Sequence, residues 1–279
     1  MSRQAVRTLT LTTLIALLLV SCVGAPGDVM EPWNSSVAGD TGAAEGALSS
    51  EPSGESGSAA DFSIQEPCAV GGLQSWLYPP ENAAPGMPMI VYLHGGSGKG
   101  SQPELITAEE SLPRYLQTGL LQPKAYVVIP QLPETYRGWE EAAEPLMQLI
   151  AYLETACGVD GTRVSLTGHS MGGVGVWKLA QEFPDFFSCI VPLSGSVQTT
   201  GESLRLLSET PVWAFVGDSD TVVSPDSSIR AVEALRKQGA SAAVTVLEDT
   251  DHFGVPAAVY LNGDMDVIGW MLEQSRQPS

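Results

Sequence analysis

Six short apolar runs recur along the chain, and no other feature of the sequence restricts its fold as tightly. They are Met89–Leu93 (MIVYL), Tyr126–Ile129 (YVVI), Val164–Thr167 (VSLT), Cys189–Leu193 (CIVPL), Val212–Val216 (VWAFV) and Val244–Leu247 (VTVL). Most carry apolar residues at consecutive positions, so both faces of each strand must be covered. Parallel strands sandwiched between helices meet that need. Helical stretches do lie between the runs, at 139–156, 173–182 and 225–238, with a last one at 266–274. The third opens on Pro225 and is followed by Gly239, residues suited to a helix's first turn and to the position just past its end. The pattern predicts an α/β domain with a mostly parallel central sheet and helices on both faces. Ligands in such sheets bind beyond the carboxyl ends of the strands, which singles out the residues directly after each run.

Ahead of this domain stands a segment of another kind. Arg3 and Arg7 precede an apolar run over 9–20, which ends Leu19-Val20-Ser21-Cys22. A positive start and a short apolar stretch read as an export signal rather than a membrane span. Its ending resembles the lipobox of bacterial lipoproteins, which implies cleavage before Cys22 and a diacylglycerol on that sulfur. Residues 1–21 are then the leader. Between Val23 and Ser63 the chain is rich in Gly, Ser, Ala and Pro, with seven acidic residues and no Lys or Arg. That composition cannot bury enough apolar surface to order itself, so 22–63 is expected to be a lipid-anchored, flexible, self-repelling linker. The folded domain is expected over 64–279, held outside the cytoplasm at the bacterial cell membrane through the lipid alone.

Charge narrows the partners. Lys and Arg number 13 against 32 Asp and Glu, a net charge of −19. Nucleic acid and anionic lipid headgroups would both be repelled. Four cysteines and three histidines are too few for a disulfide scaffold or the usual zinc clusters, and no metal or organic cofactor is implied. Cys189 lies in an apolar run and reads as a small core residue. Cys68 and Cys157 can pair in an oxidising compartment only if the fold brings them within bonding distance, which the sequence does not decide.

The strand ends carry the chemistry. After VSLT comes Gly168-His169-Ser170-Met171-Gly172-Gly173. A strand ends and a helix begins there, so Ser170 occupies a sharp turn that lifts its hydroxyl above the sheet. A serine hydroxyl needs a base to take its proton. His94 is followed by glycines and His169 flanks the serine, whereas His252 follows the last strand in Asp251-His252-Phe253-Gly254 and is the best-placed base. An imidazole base needs a carboxylate to hold its tautomer. Gly217-Asp218-Ser219-Asp220-Thr221-Val222-Val223 follows VWAFV and offers two. Asp220 is favoured because it lies further into the loop, before a Val-Val pair that would anchor it. Asp218, nearer the strand end, suits bracing of the turn through backbone N–H groups. Two aspartates and a histidine also suit a metal, but a third ligand would have to be found.

The order Ser170, Asp220, His252, together with His94-Gly95-Gly96, resembles the α/β-hydrolase superfamily over residues 70–275. More narrowly it is similar to small bacterial esterases: carboxylesterases, feruloyl esterases, dienelactone hydrolase-like proteins and predicted peptidases. The resemblance implies an α/β-hydrolase fold and a serine hydrolase that cleaves carboxylic esters through an acyl-enzyme. It also implies an oxyanion hole made by the N–H groups of Met171 and Gly96, with Ser97 the next choice. The Lys99 loop fails the phosphate-loop pattern, which would need Gly at Leu93 and Ser or Thr at Gly100. Between Leu193 and Val212 there is room for a loop and a short helix but no large lid, which favours soluble or polymer-borne esters over long-chain lipids. In the loop after YVVI, Tyr136 or Trp139 can wall the cleft for an acyl or aromatic group, or simply pack, and Arg137 can meet a carboxylate. The same machinery serves a serine peptidase or an acyltransferase, and a surface binding protein that kept the fold is the remaining alternative.

Overall fold

The apolar runs sort their side chains to two sides, and that sorting builds the two layers around the sheet. In the strand Met89–Leu93, Met89, Val91 and Leu93 join one core cluster while Ile90 and Tyr92 join the other. The neighbouring strand repeats the division, with Val128 on the first side and Val127 and Ile129 on the second. The computed structural model describes residues 68–198 and 201–277, which fall within one unit. The leader, Cys22 and the expected linker lie outside the described residues.

Eight strands form one sheet: β1 (Cys68–Val70), β2 (Leu73–Tyr78), β3 (Met89–Leu93), β4 (Tyr126–Gln131), β5 (Val164–His169), β6 (Cys189–Leu193), β7 (Val212–Gly217) and β8 (Ala242–Leu247). Their order across the sheet is β1-β2-β4-β3-β5-β6-β7-β8. From β4 to β8 every pairing is parallel, and β2 runs antiparallel to β4 and to β1. One face is covered by α3 (Ala143–Cys157), α4 (Met171–Glu182) and α6 (Asp226–Lys237), which supply Leu146, Leu149, Val176, Trp177, Val232 and Leu235 to the core. The other is covered by α2 (Leu112–Gln117), α7 (Val255–Tyr260) and α8 (Val267–Glu273), through Leu112, Tyr115, Val259 and Met271. Two shorter helices, α1 (Glu104–Thr107) and α5 (Gly201–Arg205), complete the element list.

The parallel strands fall where the apolar runs predict them. Among the described residues, Leu193 and Val212 are separated by a loop and the five-residue α5. The first two strands, β1 and β2, and four short helices carry no such signal. In β2 the sequence LQSWLY mixes polar and apolar residues, because the strand is only partly covered. Cys189 is fully buried, and burial pushes its thiol up to about 12, as expected of a packed core residue. No described helix is long and apolar enough to cross a membrane.

The tightest approach in the sheet layer is between α4 and the end of β3. A β-carbon on Gly172 would lie 1.9 Å from the Leu93 carbonyl oxygen, and one on Gly168 would lie 2.6 Å from the same atom. Only glycine permits backbone to pass backbone at this distance. We expect Gly172→Ala to push α4 off the sheet and lower stability by about 3 kcal/mol or more, or to prevent folding. Gly263→Ala, at a position with nothing within 4 Å of the new carbon, should stay within about 0.5 kcal/mol in the same urea titration. Equal effects of the two substitutions would show that the close approach is not what constrains this region.

Candidate active site

Ser170 sits between β5 and α4 with φ +57° and ψ −118°, a conformation that costs a non-glycine residue about 1–3 kcal/mol. The turn is held on both sides: Ser170 N–H donates to the Leu193 carbonyl, and Val174 N–H donates back to the Ser170 carbonyl. The strain has a geometric result. The side chain leaves the sheet plane and is partly exposed, at the positive end of α4.

Two other strand ends deliver the partners. The Ser170 hydroxyl lies 2.9 Å from His252 Nε2, and His252 Nδ1 lies 2.7 Å from Asp220 Oδ2. An ionised carboxylate only accepts, so Nδ1 carries the proton and Nε2 is left to accept from the serine O–H. Asp220 Oδ1 accepts the N–H groups of Val222 (2.9 Å) and Val223 (2.8 Å), which fixes the other oxygen toward His252. Both residues are buried. Burial on its own raises the Asp220 carboxyl, but the Val223 N–H, His252, Ser194 and the Val222 N–H outweigh it and hold the group below its ordinary value.

The structure thus brings Asp220 to His252 and leaves Asp218 outside the line. Asp218 is exposed and accepts from the Ser219 hydroxyl and the Thr250 N–H, bracing the turn between the β7 and β8 loops. The anchor of Asp220 differs from the expectation, however. Val222 is 61% exposed, so the Val-Val pair holds the aspartate through its backbone N–H groups and not by burying its side chains.

Met171 is the first residue of α4 and has no carbonyl one turn back to receive its N–H. Gly96 opens a 3-10 turn over Gly96–Gly98, and Gly95 backs directly onto Ser170: a β-carbon there would be 3.6 Å from the serine Cβ. The peptide between Gly95 and Gly96 is pinned by its carbonyl. His94 Nδ1–H donates to that oxygen at 2.7 Å, and Gly98 N–H donates to it at 3.2 Å. Because the peptide is planar, the Gly96 N–H points the opposite way. His94 Nε2 in turn accepts the Leu132 N–H at 2.9 Å. Ser97 lies within the same turn.

Trp139 requires a correction. It is completely buried, its indole N–H donates to the His94 carbonyl at 3.0 Å, and its ring meets the His94 ring edge-on. It braces the loop from within the core and offers no wall to a cleft, because a large ring gains more from burial than from exposure. Tyr136 is half-buried against the same core. Arg137 is paired with Glu141 at 2.6 Å and does not wait for a carboxylate.

Three contributors to the site carry no motif. His169 is buried, and its Nε2–H donates to the His252 carbonyl at 2.9 Å, holding the backbone of the loop. Ser194, buried with φ +46° just after β6, donates its N–H to the Phe215 carbonyl at 2.9 Å, and its hydroxyl adds to the pull on Asp220. Thr167 donates to the Val191 carbonyl and accepts from the Tyr260 hydroxyl at 2.6 Å, tying the helix after the His252 loop to β5. Position next to a glycine-rich turn marks His169. Nothing in the sequence marks the other two.

The site's frame is shared with known proteins. A model of the dienelactone hydrolase family matches residues 131–256, which include Ser170, Asp220 and His252. A thermostable esterase of known crystal structure is 25% identical, with a TM-score of 0.61 over 73% of this chain and 60% of its own. The chain has the α/β-hydrolase fold. A putative esterase of Nocardia uniformis subsp. tsuyamanensis, NocK, is 25% identical over 148 residues, 48% of this chain. The chain spans 40% of that curated relative's length. The feruloyl esterase module from Clostridium thermocellum shares the fold at 16% identity, with a TM-score of 0.58 over 74% of this chain and 86% of its own.

Burial drives both bracing histidines down to about 4, with Lys99 acting further on His94 and His252 on His169. In the unfolded chain an imidazole titrates near ~6.5. Between those values the unfolded state takes up protons that the native state refuses, so stability is full above about 6.5 and falls as pH drops toward about 4. Urea midpoints should therefore decline from pH 7 to 4.5, by a stability on the order of a few kcal/mol. His169→Gln, which keeps an N–H for the His252 carbonyl, should flatten that decline. An unaltered slope in the variant would contradict a neutral, buried His169.

Proposed function

We propose that this α/β-hydrolase cleaves carboxylic esters by nucleophilic catalysis, with Ser170 as nucleophile, His252 as general base and acid, and Asp220 as the carboxylate that orients the imidazole. The observation that carries the reading is the continuous hydrogen-bonded line from the serine hydroxyl through both imidazole nitrogens to a buried carboxylate, at 2.9 and 2.7 Å. His252 takes the Ser170 proton as the serine oxygen bonds to the ester carbonyl carbon. The tetrahedral oxyanion faces the N–H groups of Gly96 and Met171. His252 then gives its proton to the departing alcohol oxygen, leaving an acyl-serine. Water repeats the sequence, losing a proton to His252, and the acid is released as Ser170 recovers its own.

Esters are favoured over peptides because the known esterases that share the frame point that way. The reading includes an extracytoplasmic location, with lipid on Cys22 as the tether. It rests on the arginine-led apolar leader that ends in Leu-Val-Ser-Cys.

The roles separate by mutation. A fluorophosphonate should label one serine per chain, and Ser170→Ala should abolish labelling. Asp220→Asn should lower kcat/KM on p-nitrophenyl acetate by about 10³- to 10⁴-fold through loss of the right tautomer. Asp218→Asn should remain within about threefold, since that side chain is exposed and acts only on a turn. Strong loss in Asp218→Asn with little change in Asp220→Asn would overturn the assignment. Faster cleavage of short peptide anilides than of acetate esters would make the protein a peptidase. For the tether, Cys22→Ala should move the bacterially expressed protein from the detergent phase to the aqueous phase on Triton X-114 partition. Equal partition of the two forms would remove it.

A further inference from the structure

Six large apolar side chains among the described residues stand well out in solvent, and two of them flank the relay. Val222 lies two residues after Asp220, and Phe253 directly follows His252. Phe253 is the aromatic one of the six, 58% exposed, with its ring edge-on to the His252 ring at a centroid distance of 5.2 Å. Single exposed apolar residues are ordinary on protein surfaces. This one has a particular relation to the chemistry. In the reaction proposed above, the departing alcohol oxygen must come within about 3 Å of His252 Nε2 to receive its proton. The group bonded to that oxygen therefore departs from the imidazole that the Phe253 ring meets.

Neither of two cavities elsewhere on the domain is lined by the relay. Of about 430 and 200 Å³, they are lined by other residues: Val174, Lys178 and Gln181 with the loop after β6 in one, Leu120, Tyr260 and Val267 among others in the other. A flat apolar group departing from the imidazole would find an exposed aromatic ring to stack on.

We propose that Phe253 is the specificity residue for the alcohol half of the ester and selects a flat, aromatic leaving group, so that the natural substrates are aryl esters. The proposal rests on the ester-hydrolase reading and goes past it. Its mechanism confines the residue to one half-reaction. In acylation the bond between the carbonyl carbon and the alcohol oxygen breaks, with the aryl alcohol still against the ring. In deacylation water attacks the acyl-serine, and the alcohol has gone.

The test follows from that separation. Wild type and Phe253→Ala are compared on 2-naphthyl acetate and ethyl acetate, which give the same acetyl-enzyme, with the acylation and deacylation rates resolved by rapid mixing. The ratio of kcat/KM for naphthyl over ethyl acetate should fall about tenfold in the variant, as expected for loss of an aromatic contact. The deacylation rate and the preference between ethyl acetate and ethyl butyrate should not move, and Phe253→Tyr should restore the naphthyl preference. Equal losses on both acetates, or a slowed deacylation, would show that Phe253 only supports His252 and would overturn the proposal. A loss confined to an acetylated sugar would overturn the aryl assignment. If wild type neither takes up a fluorophosphonate nor hydrolyses any of these esters, the ester-hydrolase reading itself falls, and this proposal with it.

Discussion

One backbone contact holds the functional end of the molecule together: the passage of the first turn of α4 across the last residue of β3. Gly168 and Gly172 let the main chain come against the Leu93 carbonyl at distances no side chain would survive. Leu93 is also the residue before His94, Gly95 and Gly96. The contact that sharpens the Ser170 turn therefore sets the neighbouring loop beside the serine. The Ser170 turn and the Gly96 loop are placed by a single packing event, and the strain at Ser170 is offset by the tightly packed strands on either side, since interiors of this density do not relax locally.

Around that contact the three histidines divide the labour by environment. His94 and His169 are buried and each spends its N–H on a carbonyl, of Gly95 and of His252 respectively. Desolvation keeps both neutral, so neither sets a second positive charge beside the relay. His252 is the one whose two ring nitrogens both meet side chains, the carboxylate of Asp220 and the hydroxyl of Ser170. The residue type is the same in all three. The partners decide what each can do.

The parallel centre of the sheet was legible because covered strands must be apolar on both faces, as MIVYL and CIVPL are. The strand β2 was not, since LQSWLY serves a less covered part of the sheet, and α1, α2, α5 and α7 are too short to display a helical period. The positions of Ser170, Asp220 and His252 could be read because each lies in the turn or loop after a strand, where open sheets expose side chains. The reasons were less readable than the positions. Asp220 looked anchored by two valine side chains, yet two backbone N–H groups hold it. Trp139 looked like a cleft wall beside Tyr136, yet its indole is a buried prop for His94. Sequence shows which residue types are available at a strand end. It does not show whether a large ring turns inward, because that depends on what the neighbouring strand leaves unfilled.

The loop that carries Gly96 is also stapled to its neighbour. The Gln131 side-chain amide donates to the carbonyls of both Gly98 and Gln102, and the Leu132 N–H donates to His94. Loops from two adjacent strands are thereby joined by bonds that do not involve substrate. The conformation of the Gly96 loop is therefore fixed by the protein itself, and ordering it is no part of what a ligand at Ser170 would have to supply.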